Sequence, residues 1–123
     1  MDTKPLLVYY ISGPYRDKRG EWYVGQNIQN ARAAAIEIWK LGGVALCPHM
    51  NTAGLGGLLP DDTWLQGDLE LIRRCDAVWM IDGWQKSEGA KIEMEFALEL
   101  GVPVLYNLED VKEYFRMVND GQR

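Results

Sequence analysis

The chain has 123 residues, 47% of them hydrophobic and 25% charged. That is the content of one folded domain, with too little chain for two, and it excludes the disordered and low-complexity classes. The net charge of −5 argues against a nucleic-acid polymer as partner, since a phosphate-binding surface needs clustered Lys and Arg. No apolar run approaches the ~20 residues of a membrane span. Met1 to Leu7 shows no leader pattern, so a soluble cytoplasmic protein is expected.

Leu6 to Ile11 is an apolar, β-rich run, the pattern of a strand buried on both faces. Ser12-Gly13-Pro14 breaks it. Ile28 to Leu41 carries Ile28, Ala31, Ala35, Ile38 and Trp39 at helical spacing, with Gly42-Gly43 as its stop. Val44 to Cys47 is a short second strand ended by Pro48, and the Gly- and Leu-rich Asn51 to Pro60 reads as a loop. Asp61 or Asp62 suits the cap of a helix running to about Arg74. Arg73 and Arg74 at its end suit the helix dipole.

Ala77 to Ile81 is a third strand, and Asp82 to Ser87 a loop. Glu88 to Leu100 is a helix with Ile92, Phe96 and Leu100 on one stripe, closed by Gly101. Val102 to Tyr106 is a fourth strand and Glu109 to about Val118 a last helix. Strand and helix alternate throughout, which predicts an α/β fold. The expected form is a Rossmann-like (flavodoxin-like) three-layer sandwich with a parallel sheet of about four strands, order 2-1-3-4. Residues 1–123 read as one domain, without repeat or linker.

In such a sheet a ligand lies beyond the carboxyl ends of the strands, at the switch point between strands one and three. The first loop there lacks both GxGxxG and a P-loop. Gly13, Arg16 and Gly20 suit either one phosphate group or a plain strand-to-helix turn with a surface Arg. Ser87 is an N-cap candidate, and backbone N–H groups near Gly89 suit an anion. Glu93, inside that helix, is either a solvated Glu or a carboxylate turned to the crevice. Asp68 is a surface Asp or its partner in acid–base work. Trp64, Trp79 and Trp84 suit base stacking or core filling. Cys47 and Cys75 read as reduced, buried thiols. His49 is the single histidine and no CxxC exists, so no metal site is expected.

Four stretches together resemble the nucleoside 2-deoxyribosyltransferase superfamily, over about residues 6 to 106. They are Tyr10-Ile11-Ser12-Gly13-Pro14, Asp68-Leu69 with Cys75-Asp76-Ala77-Val78, Ser87-x-Gly89-x-x-x-Glu93-x-x-x-Ala97, and Gly101-x-Pro103-Val104. The superfamily includes the deoxynucleoside 5′-monophosphate N-glycosidases. Gly83-Trp84-x-x-Ser87-x-Gly89-Ala90-x-x-Glu93 is most similar to a small bacterial and phage branch of unknown function.

The resemblance implies cleavage of the N-glycosidic bond of a nucleoside or nucleotide, with transfer of the sugar to water or another base. It implies that Glu93 attacks C1′, that Asp68 serves the leaving base and that Tyr10 orients the nucleophile. It gives the loop Gly13-Pro14-Tyr15-Arg16 and Ser87 to the 5′-phosphate and the His49 region to the base side; Ser12, Gly89 and Trp84 are further substrate-binding candidates. No metal or cofactor is implied, and a homodimer or larger homo-oligomer is. Two departures stand out. Ser87 replaces the transferases' aspartate, which favours a phosphate-bearing substrate, and Glu95 stands where glycine is common. The alternative is a non-catalytic nucleotide-binding or sensor module.

Overall fold

The computed structural model describes residues 5–121. The first four and last two residues lie outside it, and with them part of the leader reading and the outer limits of the domain. The elements run β1 (Val8–Ser12), α1 (Glu21–Leu41), β2 (Val44–Leu46), α2 (Pro48–Asn51), α3 (Asp61–Arg73), β3 (Ala77–Met80), α4 (Glu88–Leu100), β4 (Val104–Leu105) and α5 (Leu108–Gly121). The strands form one parallel sheet in the order β2-β1-β3-β4, as expected. β1 and β3 pair through Tyr9–Ala77 to Ser12–Met80, placing Ser12 at the sheet's carboxyl edge.

Strand alternation divides the core in two. Tyr9, Ile11, Trp79 and Ile81 point to one face, where Ala31, Ala34, Ala35 and Ile38 of α1 and Val111 of α5 meet them. Tyr10, Val78 and Met80 point to the other, against Ile72 of α3 and Ala90 and Ala97 of α4. This is the three-layer sandwich.

Several boundaries differ from the sequence reading. α1 begins at Glu21, seven residues before Ile28, because Gly20 at φ 121° provides the break and no proline or glycine pair lies between it and Gly42. Trp39 is 55% exposed rather than in the core. The loop after β2 opens with the short α2, started by Pro48, whose fixed φ suits a first helical turn. Pro60 is the cap residue of α3; Asp61 and Asp62 lie in its first turn, where their charge suits the dipole. The buried stripe of α4 is Ala90, Glu93 and Ala97, while Ile92 and Leu100 are exposed. Small alanines let the helix lie close on the sheet, while Phe96 and Met94 pack part-buried at the side of the same cluster. Cys47 and Cys75 are free and half-buried.

Candidate active site

Tyr10 and Ser12 are two residues apart on β1, so both side chains leave the same face of the sheet. That face is covered by α4, whose buried stripe includes Glu93 at 7% exposure. The three side chains meet there. The Tyr10 hydroxyl donates to Glu93 Oε2 and the Ser12 hydroxyl to Oε1, each at 2.7 Å. Both oxygens of one buried carboxylate are thereby held, and its rotamer is fixed.

Glu93 lines a cavity of about 650 Å³ beyond the carboxyl ends of β1 and β3. Asp68 of α3 lines the same space. Burial raises the Glu93 pKa to about 7, the two hydroxyl hydrogen bonds pull against that rise, and the charge of Asp68 adds to it. Burial likewise raises Asp68 to about 6. Tyr10 is pushed well above the usual phenol range, first by burial and then by the Glu93 charge, so it stays a donor. Two carboxyl groups that can exchange protonation states near neutrality, in one cleft, are equipped for nucleophile and acid roles.

The first loop is fitted closely. A Cβ at Gly13 would lie 2.3 Å from Cγ1 of Ile81, so only glycine passes there. His49 Nε2 is 2.7 Å from the Pro14 carbonyl oxygen. A carbonyl only accepts, so Nε2 carries the proton and Nδ1 keeps its lone pair. Burial lowers the His49 pKa, which favours this neutral form. The ring also meets Tyr15 edge-on at 5.3 Å. His49 therefore ties the loop after β2 to the loop after β1 while lining the cavity.

Arg16 lines the cavity too, but its guanidinium is engaged by Asp61 in a two-pronged pair at 2.9 and 2.6 Å. Both side chains are exposed, so the pair is weak enough to exchange for a ligand anion. Ser87 caps α4, accepting from Ala90 N–H at 3.1 Å. Ser87, Gly89, Lys18 and Lys86 all face the cavity. Lys18 belongs to the short basic cluster Arg16 to Arg19, which suits one phosphate group; Lys86 lies on the turn before α4, and no spacing signal marked it.

Of the residues singled out in the sequence, Glu93, Asp68, Tyr10, Gly13, Arg16, His49, Ser87 and Gly89 line the cavity. Ser12 stands behind Glu93, and Pro14 acts through its carbonyl. Trp84 is not brought to the cavity. It packs against the α3/α4 core cluster and lies 5.7 Å from the Tyr106 ring, centroid to centroid. Trp64 of α3 lines the cavity instead, one helical turn before Asp68. Among the described residues no group of three or more His, Cys, Asp or Glu is placed to hold a metal ion. None of the described helices is long and apolar enough to cross a membrane.

No curated protein matches the chain. Among solved structures, the 2-deoxyribosyltransferase of the psychrotolerant bacterium Bacillus psychrosaccharolyticus is similar in fold. Its TM-score is 0.58 at 19% identity, over 80% of this chain and 70% of that one. The family model described as a domain of unknown function (DUF4406) matches residues 7–106, essentially β1 through β4 with the whole cavity, and the chain belongs to that family.

Proposed function

We propose that the protein cleaves the N-glycosidic bond of a (deoxy)nucleoside or nucleoside 5′-monophosphate through a covalent glycosyl intermediate on Glu93. The observation that carries this reading is the buried Glu93 carboxylate, braced on both oxygens by Tyr10 and Ser12, in one cavity with Asp68. The fold shared with a 2-deoxyribosyltransferase is consistent with it.

A Glu93 oxygen attacks C1′ and forms a C–O bond as the C1′–N bond breaks. The electron pair of that bond leaves with the base, which takes a proton from the Asp68 carboxylic acid. Water or a second base then attacks C1′ and frees Glu93, with Asp68 taking up the acceptor's proton. Tyr10 and Ser12 keep the attacking oxygens aimed, and their hydrogen bonds favour the ionised carboxylate. The Glu93 charge also suits the positive sugar of an oxocarbenium-like transition state.

A 5′-phosphate would sit between the first loop and the start of α4. Ser87, Gly89, Lys18, Lys86 and Arg16 offer it cations, a hydroxyl and backbone N–H groups. An anion there also draws Arg16 away from Asp61. His49 and Trp64 flank the base side.

Incubation with a panel of nucleosides and 5′-monophosphates, followed by chromatography of free base, tests the proposal. Release by the native chain and none by Glu93→Gln is expected, with monophosphates preferred. Turnover retained by Glu93→Gln overturns the mechanism. Saturable binding with no release from any member turns the reading to a nucleotide-binding module.

A further inference from the structure

Two buried side-chain polar atoms have no hydrogen-bond partner among the described residues, the Tyr9 hydroxyl and the Trp64 indole N–H. Tyr9 belongs to the α1/α5 core cluster. Trp64 belongs to the cavity wall. A buried donor without an acceptor costs stability, and such groups are uncommon in a folded chain. On the wall of a binding cavity, the missing acceptor can arrive with the ligand.

Trp64 and Asp68 are four residues apart on α3, so they are neighbours on one helix face. Both line the cavity. Burial raises the Asp68 pKa to about 6, so part of the population still carries its proton near neutrality. His49 comes from a different element, α2. Its Nε2–H is committed to the Pro14 carbonyl, and its Nδ1 keeps a lone pair. The base side therefore offers two neighbouring donors from one helix and an acceptor from another.

Nucleobases differ in the order of their polar groups. Guanine carries two adjacent acceptors, N7 and O6. Hypoxanthine carries the same two, and in both bases the N1–H donor follows O6. In adenine a donor, the N6 amino group, stands beside N7. Two neighbouring donors suit the first order and oppose the second.

Within the glycosidic reading of this cavity, on which the assignment rests, we propose that Trp64 sets the base preference. Its indole turns the N–H from the wall to O6 of a 6-oxopurine, N7 takes the Asp68 proton, and His49 Nδ1 accepts from N1–H. The electron pair of the C1′–N9 bond passes into the purine as N7 is protonated, and the base leaves as its neutral N7–H tautomer. An adenine nucleotide leaves the Trp64 N–H unpaired and sets an amino group against it. The substrates favoured are therefore guanine and hypoxanthine nucleotides.

The test is kcat/KM for base release from the 5′-monophosphates of deoxyguanosine, deoxyinosine, deoxyadenosine and deoxycytidine, with Trp64→Phe beside the native chain. The native chain favours guanine and hypoxanthine over adenine by about ten- to a hundred-fold. Trp64→Phe keeps an aromatic ring without the N–H, and brings that ratio to within about three-fold. Comparing one ratio between two chains cancels each base's own readiness to leave. A native preference for adenine or cytosine overturns the proposal, as does a ratio in a folded Trp64→Phe equal to the native one. Circular dichroism checks that fold, and the native panel decides the preference even where the variant does not fold. Calorimetric binding of the same four nucleotides to Glu93→Gln reads recognition without turnover. Binding in the 6-oxopurine order with no release by the native chain defeats the glycosidic reading and upholds the base preference. Release with no order among the bases does the reverse. Neither release nor binding defeats both.

Discussion

The two faces of the sheet use alternate residues of the same strands for different ends. On the α1/α5 face, Tyr9, Ile11, Trp79 and Ile81 pack against alanines, Ile38 and Val111. On the α3/α4 face, Tyr10 and Ser12 turn toward Glu93, and the apolar cluster gives way at the carboxyl edge to a cavity with two carboxyl groups. A one-residue step along β1 thus separates the packing face from the candidate site. Tyr9 and Tyr10 are both fully buried, yet only Tyr10 touches the carboxylate. Burial alone therefore does not tell a residue of the candidate site from one of the core. What matters is which buried polar group it meets.

Substitutions on either face sharpen that contrast. Glu93→Gln has the largest effect expected, a fall in kcat of about a thousand-fold or more, because the amide cannot form the glycosyl ester. The same variant melts a few degrees higher at pH 8. The folded-state pKa of Glu93 is raised, to about 7 from 4.5, so burying the ionised group costs stability as pH climbs through that window. Release of base and thermal unfolding at pH 5 and 8 check both statements.

Asp68→Asn lowers kcat/KM by about a hundred-fold or more at neutral pH. The native profile is bell-shaped, since Glu93 must be ionised and Asp68 protonated; as Asp68 titrates at about 6 and Glu93 at about 7, the acid limb follows Asp68 and the alkaline limb follows Glu93. In Asp68→Asn the alkaline limb disappears. The remaining acid limb lies below 7, because a negative charge at Asp68 no longer opposes ionisation of Glu93. A profile that keeps both limbs breaks the assignment of Asp68 as the acid.

On the packing face, Ile11→Ala costs about 2–5 kcal/mol of folding stability through lost burial and the cavity left behind. The folded fraction keeps the native pH profile. Denaturant unfolding beside single-turnover kinetics separates the two readouts. If Ile11→Ala moves the pH profile as Asp68→Asn does, the division between the faces fails.

Tyr10→Phe is the mildest, lowering kcat about ten-fold. Its hydrogen bond holds the Glu93 pKa down, so its loss shifts the limb that follows Glu93, the alkaline one, to higher pH. Ser12→Ala moves the limb in the same direction, from the other carboxylate oxygen. A Tyr10→Phe profile unchanged in position argues that the hydroxyl does not act on the Glu93 charge.

Much of the fold was legible in the residues. Alternating apolar runs and helical stretches, punctuated by Gly42-Gly43, Pro48 and Gly101, predict the parallel sheet and its order, and Ser87 is the cap of α4. The errors share a cause. Ile92 and Leu100 look like the inner stripe of α4 by hydrophobicity, whereas the small residues Ala90 and Ala97 win because they allow close approach to the sheet, with Phe96 packed at their side. Trp84 and Trp64 are equally aromatic in the sequence, and only packing sends the first to a core and the second to the cavity.

Local periodicity, turn residues and the handedness of crossovers already dictate the α/β alternation and the strand order, and with them which loops lie at the carboxyl ends of the strands. The tertiary structure alone decided that Glu93 is buried and braced by Tyr10 and Ser12, residues more than eighty positions away. It alone decided that Asp61 engages Arg16, and that Lys18 and Lys86 meet across one cavity. Such pairings depend on where whole elements come to rest, and no local spacing in the chain encodes a contact over that separation.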